Sequence, residues 1–490
     1  MSSLDQGAPL NVIETGGVIE TGGVTATGGG IDTRRGATLA LLAFAQLIIA
    51  LDLNIVFVAL PEIGSSLGFS AQTLQWVVSA YTVFTGGFLL FGGRAADLVG
   101  QRRVFILALW LYALSSLLGG LAWSPWIIIA ARAVQGIGAA FLFPATLSLI
   151  NRLFAEGPER NRALAVWGGA GASGLTLGSL AGGFLTGAFG WPAVFYVNVV
   201  LAGIAIVAAF AIIPSDPKRH EHRNFDLPGA LTVTAGATLL VFTLVQGPDY
   251  GWASPTILAS ALLAALFLIV FTMIEARSAD PLMPLRLFQN RSLVAGMTIT
   301  FLYMGTFGAL PYFLTVLLQT VHGFTALQTG LAFLVPSIAI ATGTQLGERL
   351  ATRFSTRSTL VGGMVVGAAG TALMVLGASA ESSYAAIVPG LVISGVGQGI
   401  VWTAMWIAAA SGVAHDEQGV ASGMACTTLN IGNAIGMATL IAIANSHTSG
   451  LTGDALKAAI ADGIQVAFWL AAAGIVISLL AAMVLPGRAK

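Results

Sequence analysis

Two charged side chains, Asp52 and Arg132, fall inside long apolar stretches of the sequence. A charge at mid-membrane costs roughly 2.5–3.5 kcal/mol on insertion scales, and such residues usually mark transport pathways or proton relays. Asp52 lies eight residues before Leu60, where the first apolar stretch ends, and Arg132 lies seven residues after Pro125, just before the fourth begins. At a rise of about 1.5 Å per residue, both lie roughly 10–12 Å below the same membrane boundary. We therefore expect them to pair, directly or through water.

A buried acid beside an arginine is compatible with three roles. Burial favours the neutral acid and a nearby guanidinium favours the carboxylate, so moving Asp52 relative to Arg132 would load and release a proton. Alternatively, the pair only fixes helix packing, or Asp52 is the counter-ion of a cationic substrate. The first and third roles are compatible, because a proton and a cation could compete for one carboxylate.

Membrane helices must position these two residues, because the chain is too apolar for a soluble domain. Of 490 residues, 56% are hydrophobic and 9% are charged, whereas soluble domains carry about a quarter charged residues. A span needs about 20 apolar residues, and its backbone must be helical because lipid offers no hydrogen-bond partners. Fourteen segments qualify: 37–60, 74–92, 104–122, 126–149, 163–186, 193–213, 227–246, 256–274, 293–318, 328–347, 360–376, 384–409, 418–443 and 464–485.

The basic residues alternate between the predicted loops in a way that supports this count. Of the 21 Lys and Arg residues, all but Arg132 and Lys457 fall on one side of the predicted membrane, although the loop at 415–417 has none. Since Lys and Arg accumulate in cytoplasmic loops, we expect both termini to be cytoplasmic. The Ala- and Gly-rich composition is compatible with a high-GC bacterium, whose inner membrane we expect to hold the protein.

Composition also excludes several classes of function. The formal net charge is zero, which gives no indication of a nucleic-acid partner, and the lone Cys426 allows no disulfide within the chain. No CxxC, HExxH or phosphate-loop motif is present, which argues against a metal site, a cofactor, an enzyme or an ATP-driven pump. Residues 12–29 contain a Gly- and Thr-rich hexapeptide three times over, and we expect residues 1–35 to form a disordered cytoplasmic tail.

Three stretches resemble signature motifs of the major facilitator superfamily, in its fourteen-helix drug/proton antiporter branch. Residues 93–103 resemble the loop motif G-x-x-x-D-x-x-G-R-[KR]-[KR], although Gln101 replaces the first basic residue. Residues 132–140 resemble R-x-x-Q-G-x-G-x-A, whose arginine the family links to proton transfer. Residues 51–61 resemble L-D-x-T-[IV]-V-N-V-A-L-P. The resemblance implies a cytoplasmic gating loop, whose matching residues are Gly93, Asp97, Gly100, Arg102 and Arg103.

The fifth predicted helix resembles the antiporter motif G-x-x-x-G-P-x-x-G-G, but Ser179 replaces its proline. The spacing of its glycines favours close packing against another helix. The matching residues are Gly174, Gly178, Gly182 and Gly183.

The resemblance implies an all-α integral membrane protein with fourteen transmembrane helices that works by alternating access. Two six-helix bundles (36–213 and 293–490) would flank an insertion of two helices with their loops (214–292). Bundles that rock about a central cavity expose it to each side of the membrane in turn.

The function implied is proton-coupled export of small lipophilic compounds, such as drugs or toxic metabolites, by a monomer. Asp52 and Arg132 would couple protons, and the proton gradient would replace any cofactor. With Asp52 the only deep carboxylate, we favour neutral or monocationic substrates. A facilitator or importer of a metabolite, or a lipid translocator, is the alternative on the same fold. The candidate cavity residues are Asn54, Phe57, Trp76, Tyr81, Gln135, Phe141, Tyr303, Phe307, Trp402 and Trp406.

Overall fold

Long helices account for most of the chain. The computed structural model describes residues 28–69, 71–74, 76–216, 226–278, 281, 283–414, 417–446, 448 and 451–485. Most of the hexapeptide repeats and all of residues 1–27 lie outside the described residues. The first helix begins at Gly28, so the last eight residues of the predicted tail are helical rather than disordered. A cross-helix ion pair holds this end, since Arg35 lies 2.7 Å from Glu159.

The described part of the chain contains fourteen long helices, in the predicted order. They are α1 (Gly28–Leu67), α2 (Trp76–Val99), α3 (Gln101–Gly120), α4 (Pro125–Leu153), α5 (Pro158–Phe189), α6 (Pro192–Ile212), α7 (Leu227–Tyr250), α8 (Pro255–Glu275), α9 (Arg291–Val321), α10 (Leu327–Arg353), α11 (Thr356–Met374), α12 (Tyr384–Ala410), α13 (Gln418–Ala444) and α14 (Gly453–Met483).

Thirteen helices in the described part of the chain are long and apolar enough to cross a membrane. The remaining one is α5, which has 32 residues and covers the predicted span 163–186. The glycines of α5 lower its mean hydropathy, and they let it pack closely along α1. The prediction of an all-α membrane protein with fourteen transmembrane helices is therefore confirmed.

Proline and glycine set many helix boundaries. Pro125, Pro158, Pro192 and Pro255 each begin a helix, where the missing N–H costs no hydrogen bond. Within α9, a 3-10 turn at Phe307–Ala309 interrupts the α-helix.

The helices pack as two sets of six. Helices α1 to α6 contact one another, helices α9 to α14 do the same, and α7 packs on its partner α8, on α2 and on α13. The two sets meet mainly through α2 with α13 and α5 with α10. The face at which α1 begins and α2 ends carries Arg35, Arg94 and Arg102, and we call it the arginine-rich face.

The two sets touch closely at the arginine-rich face. Asn161, near the start of α5, donates to Thr352 near the end of α10 at 3.2 Å. Farther from this face, Thr176 of α5 bonds to Ser337 of α10. By contrast, Phe57, in the opposite half of α1, is 53% exposed. The conformation is therefore closed at the arginine-rich face.

Candidate functional site

A buried ion pair joins α1 to α4. The Nη1 atom of Arg132 lies 2.7 Å from Oδ2 of Asp52, and neither side chain is more than 1% exposed. The contact expected from their equal depth is therefore present. Arg132 also donates from Nε to the Val77 carbonyl of α2 at 2.9 Å. Its guanidinium carbon lies 4.4 Å from the centre of the Tyr81 ring, so α2 supplies both a carbonyl and an aromatic face to the cation.

Two amides complete the shell around the Asp52 carboxylate. Gln135 donates from Nε2 to Oδ1 of Asp52 at 3.0 Å and accepts from Arg132 at 2.7 Å. Asn198 of α6 donates to the same Oδ1 atom at 2.7 Å. Gln135 and Asn198 are both fully buried. Three N–H donors from two helices thus converge on one carboxylate.

This network suits an ionised Asp52 that is sealed from water. Each carboxylate oxygen accepts hydrogen bonds from N–H donors, and the guanidinium of Arg132 balances the charge. A proton on Asp52 would replace an acceptor with a donor and leave the buried cation without its counter-charge, which is costly. The packing of α1, α4 and α6 therefore encloses a charge-balanced pair.

Asp97, near the end of α2, caps the N-terminus of α13. Its Oδ1 atom accepts from the Gly419 N–H at 2.9 Å and its Oδ2 atom from the Val420 N–H at 2.8 Å. A carboxylate at a helix N-terminus satisfies free N–H groups and interacts favourably with the helix dipole. Because α2 and α13 belong to different sets, this cap joins the two halves of the molecule.

Glycines let α2 and α13 approach backbone to backbone. A Cβ atom added to Gly93 would stand 2.3 Å from the Gly419 carbonyl oxygen, and one added to Gly419 would stand 2.4 Å from the Gly93 carbonyl oxygen. Such distances are far below van der Waals contact. Gly93 therefore belongs to the closed interface, as its place in the predicted gating loop implies.

The other loop residues meet Asp216, which follows α6. The backbone N–H groups of Arg102 and Arg103 donate to its carboxylate at 3.1 and 3.2 Å. Arg152 of α4 pairs with the same carboxylate at 2.8 Å. Gly100 has φ +113°, a conformation that favours glycine, and makes the turn that brings α3 to Asp216. Asp216 thus ties the loop to α4.

Three of the four predicted packing glycines in α5 lie against α1. Added Cβ atoms would stand 2.6 Å from the Ala50 side chain for Gly174, and 2.5 and 2.9 Å from carbonyl oxygens of α1 for Gly178 and Gly182. Gly183 does not share this contact, since its added Cβ would meet nothing within 4 Å. The expectation fails there because adjacent helical residues point about 100° apart.

Four of the predicted cavity aromatics form a cluster at the junction of the two sets. Trp402 and Trp406 of α12 lie 5.8 Å apart, and Tyr303 of α9 lies 5.4 Å from Trp402 and 5.3 Å from Phe307. Trp167 of α5 stacks on Trp402 at 5.9 Å. These contacts join rings from both sets.

The remaining predicted cavity residues are dispersed. Trp76 stacks on Phe242 of α7 at 5.9 Å, away from the junction of the two sets. Phe141 contacts Phe91 edge to face. Asn54 donates to the carbonyl of Ala50 one turn earlier. Phe57 is the exposed residue of α1 noted above, and Tyr81 and Gln135 belong to the Asp52 network.

Three residues that contribute to the contacts described above were not among the predicted site residues. Asn198 carries the only amide in the predicted span 193–213, a signal that could have identified it. Trp167 stands among small residues in the sequence. A single indole in such a stretch was a signal for contact with another helix. Asp216 has no comparable signal, because acidic residues are ordinary in loops.

The profile of the Major Facilitator Superfamily matches residues 42–437. The puromycin resistance protein pur8 of Streptomyces alboniger is 36% identical over 433 residues, which cover 87% of this chain and 85% of that protein. The cephamycin export protein CmcT of Amycolatopsis lactamdurans is 36% identical over 415 residues, covering 84% and 85% of the two chains.

A solved structure has a similar fold. The crystal structure of the human organic anion transporter MFSD10 (TETRAN) has a TM-score of 0.66 with 16% identity, over 92% of this chain and 99% of that one. At this level of identity, the similarity concerns the fold alone.

Proposed function

Because the chain belongs to the Major Facilitator Superfamily, we propose that it exports small lipophilic compounds from a bacterial cell in exchange for protons. The observation that carries this proposal is the buried pair of Asp52 and Arg132. The substrates would be neutral or monocationic drugs or toxic metabolites. The transporter would act as a monomer, powered by the proton gradient.

The relatives support the direction and the substrate class. One is named for puromycin resistance and the other for cephamycin export, and outward movement of a drug would account for both names. The excess of Lys and Arg supports an orientation in which the arginine-rich face and both termini lie on the cytoplasmic side of the inner membrane. The closed arginine-rich face would then represent a state after substrate has left the cytoplasmic side.

The Asp52 network supports the proposal of proton coupling. In the closed conformation, Arg132, Gln135 and Asn198 all donate to the carboxylate. A proton that reaches Asp52 weakens these bonds and favours a different packing of α1 against α4 and α6. The conformational equilibrium would thereby depend on protonation, which is the requirement for coupling. A cationic substrate could displace the proton by competing for the same carboxylate.

Transport in liposomes with an imposed pH gradient tests this proposal. A fluorescent lipophilic cation should accumulate in wild-type vesicles, and Asp52→Asn should abolish accumulation while the dye still binds. Asp454→Asn is the matched control, because the Asp454 side chain is fully exposed. Equal transport with and without the gradient would rule out proton antiport and favour a facilitator or a lipid translocator.

A further inference from the structure

Four aromatic rings meet where the two sets of helices close. Phe143 and Trp167 come from α4 and α5, whereas Trp402 and Trp406 come from α12. Trp167 stacks on Trp402 at 5.9 Å with an interplanar angle of 17°. The Trp406 ring lies 5.8 Å from Trp167 at 90° and 5.9 Å from Phe143 at 82°. We call these four residues the aromatic junction.

Two polar atoms of the aromatic junction have no acceptor in the part of the chain that the structure describes. The Nε1 atoms of Trp402 and Trp406 are buried, and neither finds a hydrogen-bond partner among the described residues. The whole Trp406 residue is only 3% exposed. The indole of Trp167, by contrast, donates to Thr146 at 3.2 Å. Buried donors normally find partners, so two unpaired N–H groups on one helix face are available to an acceptor that enters when the helices separate.

The backbone of α5 covers one of these donors. A Cβ atom added to Gly168 would stand 2.5 Å from Cδ1 and 2.6 Å from Nε1 of Trp402. The N–H edge of this indole therefore faces a glycine that offers it no acceptor. If the two sets separate at the arginine-rich face, α5 leaves this edge, and the stacked faces of Trp167 and Trp402 become accessible together.

We propose that the aromatic junction is a binding site for planar aromatic compounds that carry hydrogen-bond acceptors. This inference rests on the proposed export function and specifies its substrate class. In the inward-open state the compound stacks between Trp167 and Trp402, and its ring accepts a hydrogen bond from the N–H of Trp406, whose plane is inclined by 77° to that of Trp402. The N–H of Trp402 lies in its own ring plane and donates to an acceptor on a substituent that projects beyond the stacked rings. On closure the rings stack on each other instead and expel the compound from the site.

This site is distinct from the Asp52 network. Phe143 and Arg132 both belong to α4 but are eleven residues apart, which corresponds to about 16 Å along the helix. The junction would recognise planar shape and acceptors, whereas Asp52 would respond to protons and positive charge. The two properties can therefore be measured separately.

Equilibrium binding to purified protein in nanodiscs tests the site without requiring transport. The probes are radiolabelled puromycin, a monocation with a planar purine and ring-nitrogen acceptors, and tetrapentylammonium, a monocation without an aromatic ring. The readout is the ratio of the two dissociation constants, because a shift between closed and open states changes both affinities by the same factor. Failure of proton coupling would leave this readout intact.

Wild type should bind puromycin more tightly. Trp402→Leu should shift the ratio against puromycin by about tenfold, and Trp402→Phe and Trp406→Phe, which keep a ring but lose the N–H, by about threefold. Trp110→Leu, at a 47% exposed position of α3, is the control and should leave the ratio unchanged. An unchanged ratio in Trp402→Leu would overturn the proposal, as would a wild type that shows no preference for puromycin or binds neither probe.

A cross-link tests whether the site exists only in the open state. Asn161→Cys with Thr352→Cys, in a Cys426→Ser background, places two thiols across the closed face where Asn161 and Thr352 now bond at 3.2 Å. Bridging them with a short bifunctional methanethiosulfonate, which forms a disulfide with each thiol and releases methanesulfinate, should abolish puromycin binding, and reduction of the disulfides should restore it. Puromycin binding that survives the cross-link would place the site elsewhere.

Discussion

Asp97 and Gly419 join the two halves of the molecule through a hydrogen bond of 2.9 Å between a carboxylate oxygen and a backbone N–H. The two residues are 322 positions apart in the chain. The contact requires a charge at the end of α2, a free N–H at the start of α13, and no side chain at Gly419. Closure of the arginine-rich face therefore depends on a charge and on a glycine.

Asp97→Asn should open this face more often. The amide loses the charge that interacts with the N-terminus of α13, and hydrogen bonds to charged groups contribute about 1.5–3 kcal/mol. In a Cys426→Ser background, a cysteine at Thr344, which is fully buried beside α5, should then react with a maleimide about tenfold faster. Asp454→Asn controls for the loss of an acid, and equal labelling of both variants would show that Asp97 does not hold the face closed.

Gly178→Ala should destabilise the protein, whereas Gly183→Ala should not. The first substitution would place a methyl group 2.5 Å from the Leu51 carbonyl oxygen, and the second would meet nothing within 4 Å. Overpacking of this kind costs about 1–3 kcal/mol. Thermal unfolding in detergent compares the two directly. A loss of similar size in both variants would mean that helix propensity, rather than the contact of α5 with α1, is responsible.

Arg132→Lys should impair transport although it keeps the positive charge. The guanidinium contacts the Val77 carbonyl, Asp52 and Gln135 at once, and a lysine ammonium cannot reproduce that planar arrangement. We expect gradient-driven uptake to fall at least about tenfold, since each lost charge-assisted bond contributes about 1.5–3 kcal/mol. Arg349→Lys, at an exposed position, should transport normally. Normal uptake by Arg132→Lys would show that charge alone suffices.

Asp216 should stabilise the protein through two separate interactions. Asp216→Ala removes both the cap of α3 and the pair with Arg152, and we expect a loss of about 1–2 kcal/mol. Asp216→Asn keeps a capping oxygen and should lose less. Unfolding of both variants in denaturant measures the difference, and two variants as stable as wild type would contradict the role assigned to Asp216.

The sequence was sufficient to predict the helices and the central ion pair. Apolar length defined the fourteen spans, and the equal depth of Asp52 and Arg132 predicted their contact. Depth along a helix does not specify which side chains complete a site, so the contribution of Asn198 from α6 was missed. The prediction for Gly183 failed for a similar reason, because membership of a motif does not specify the direction in which a residue faces.

Contacts between the two sets of helices were harder to predict from the sequence. Trp402 and Trp406 are four residues apart, which predicts that they share one helix face. The ring that stacks on Trp402 belongs to Trp167, on a helix for which the sequence analysis considered only the glycines. Trp76 was also predicted to line the cavity, whereas the structure places it against α7. Helical spacing identifies a face of one helix, and the partner of that face depends on the tertiary arrangement.

Proton release on substrate binding tests the central claim most directly. Puromycin is added to purified protein in a weakly buffered solution with a pH indicator, and its binding is measured in parallel. If Asp52 is the proton carrier, binding of this monocation to wild type should release protons, and Asp52→Asn should bind puromycin without releasing any. Equal release from both proteins, or binding to wild type without release, would contradict the assignment of Asp52 as the coupling residue.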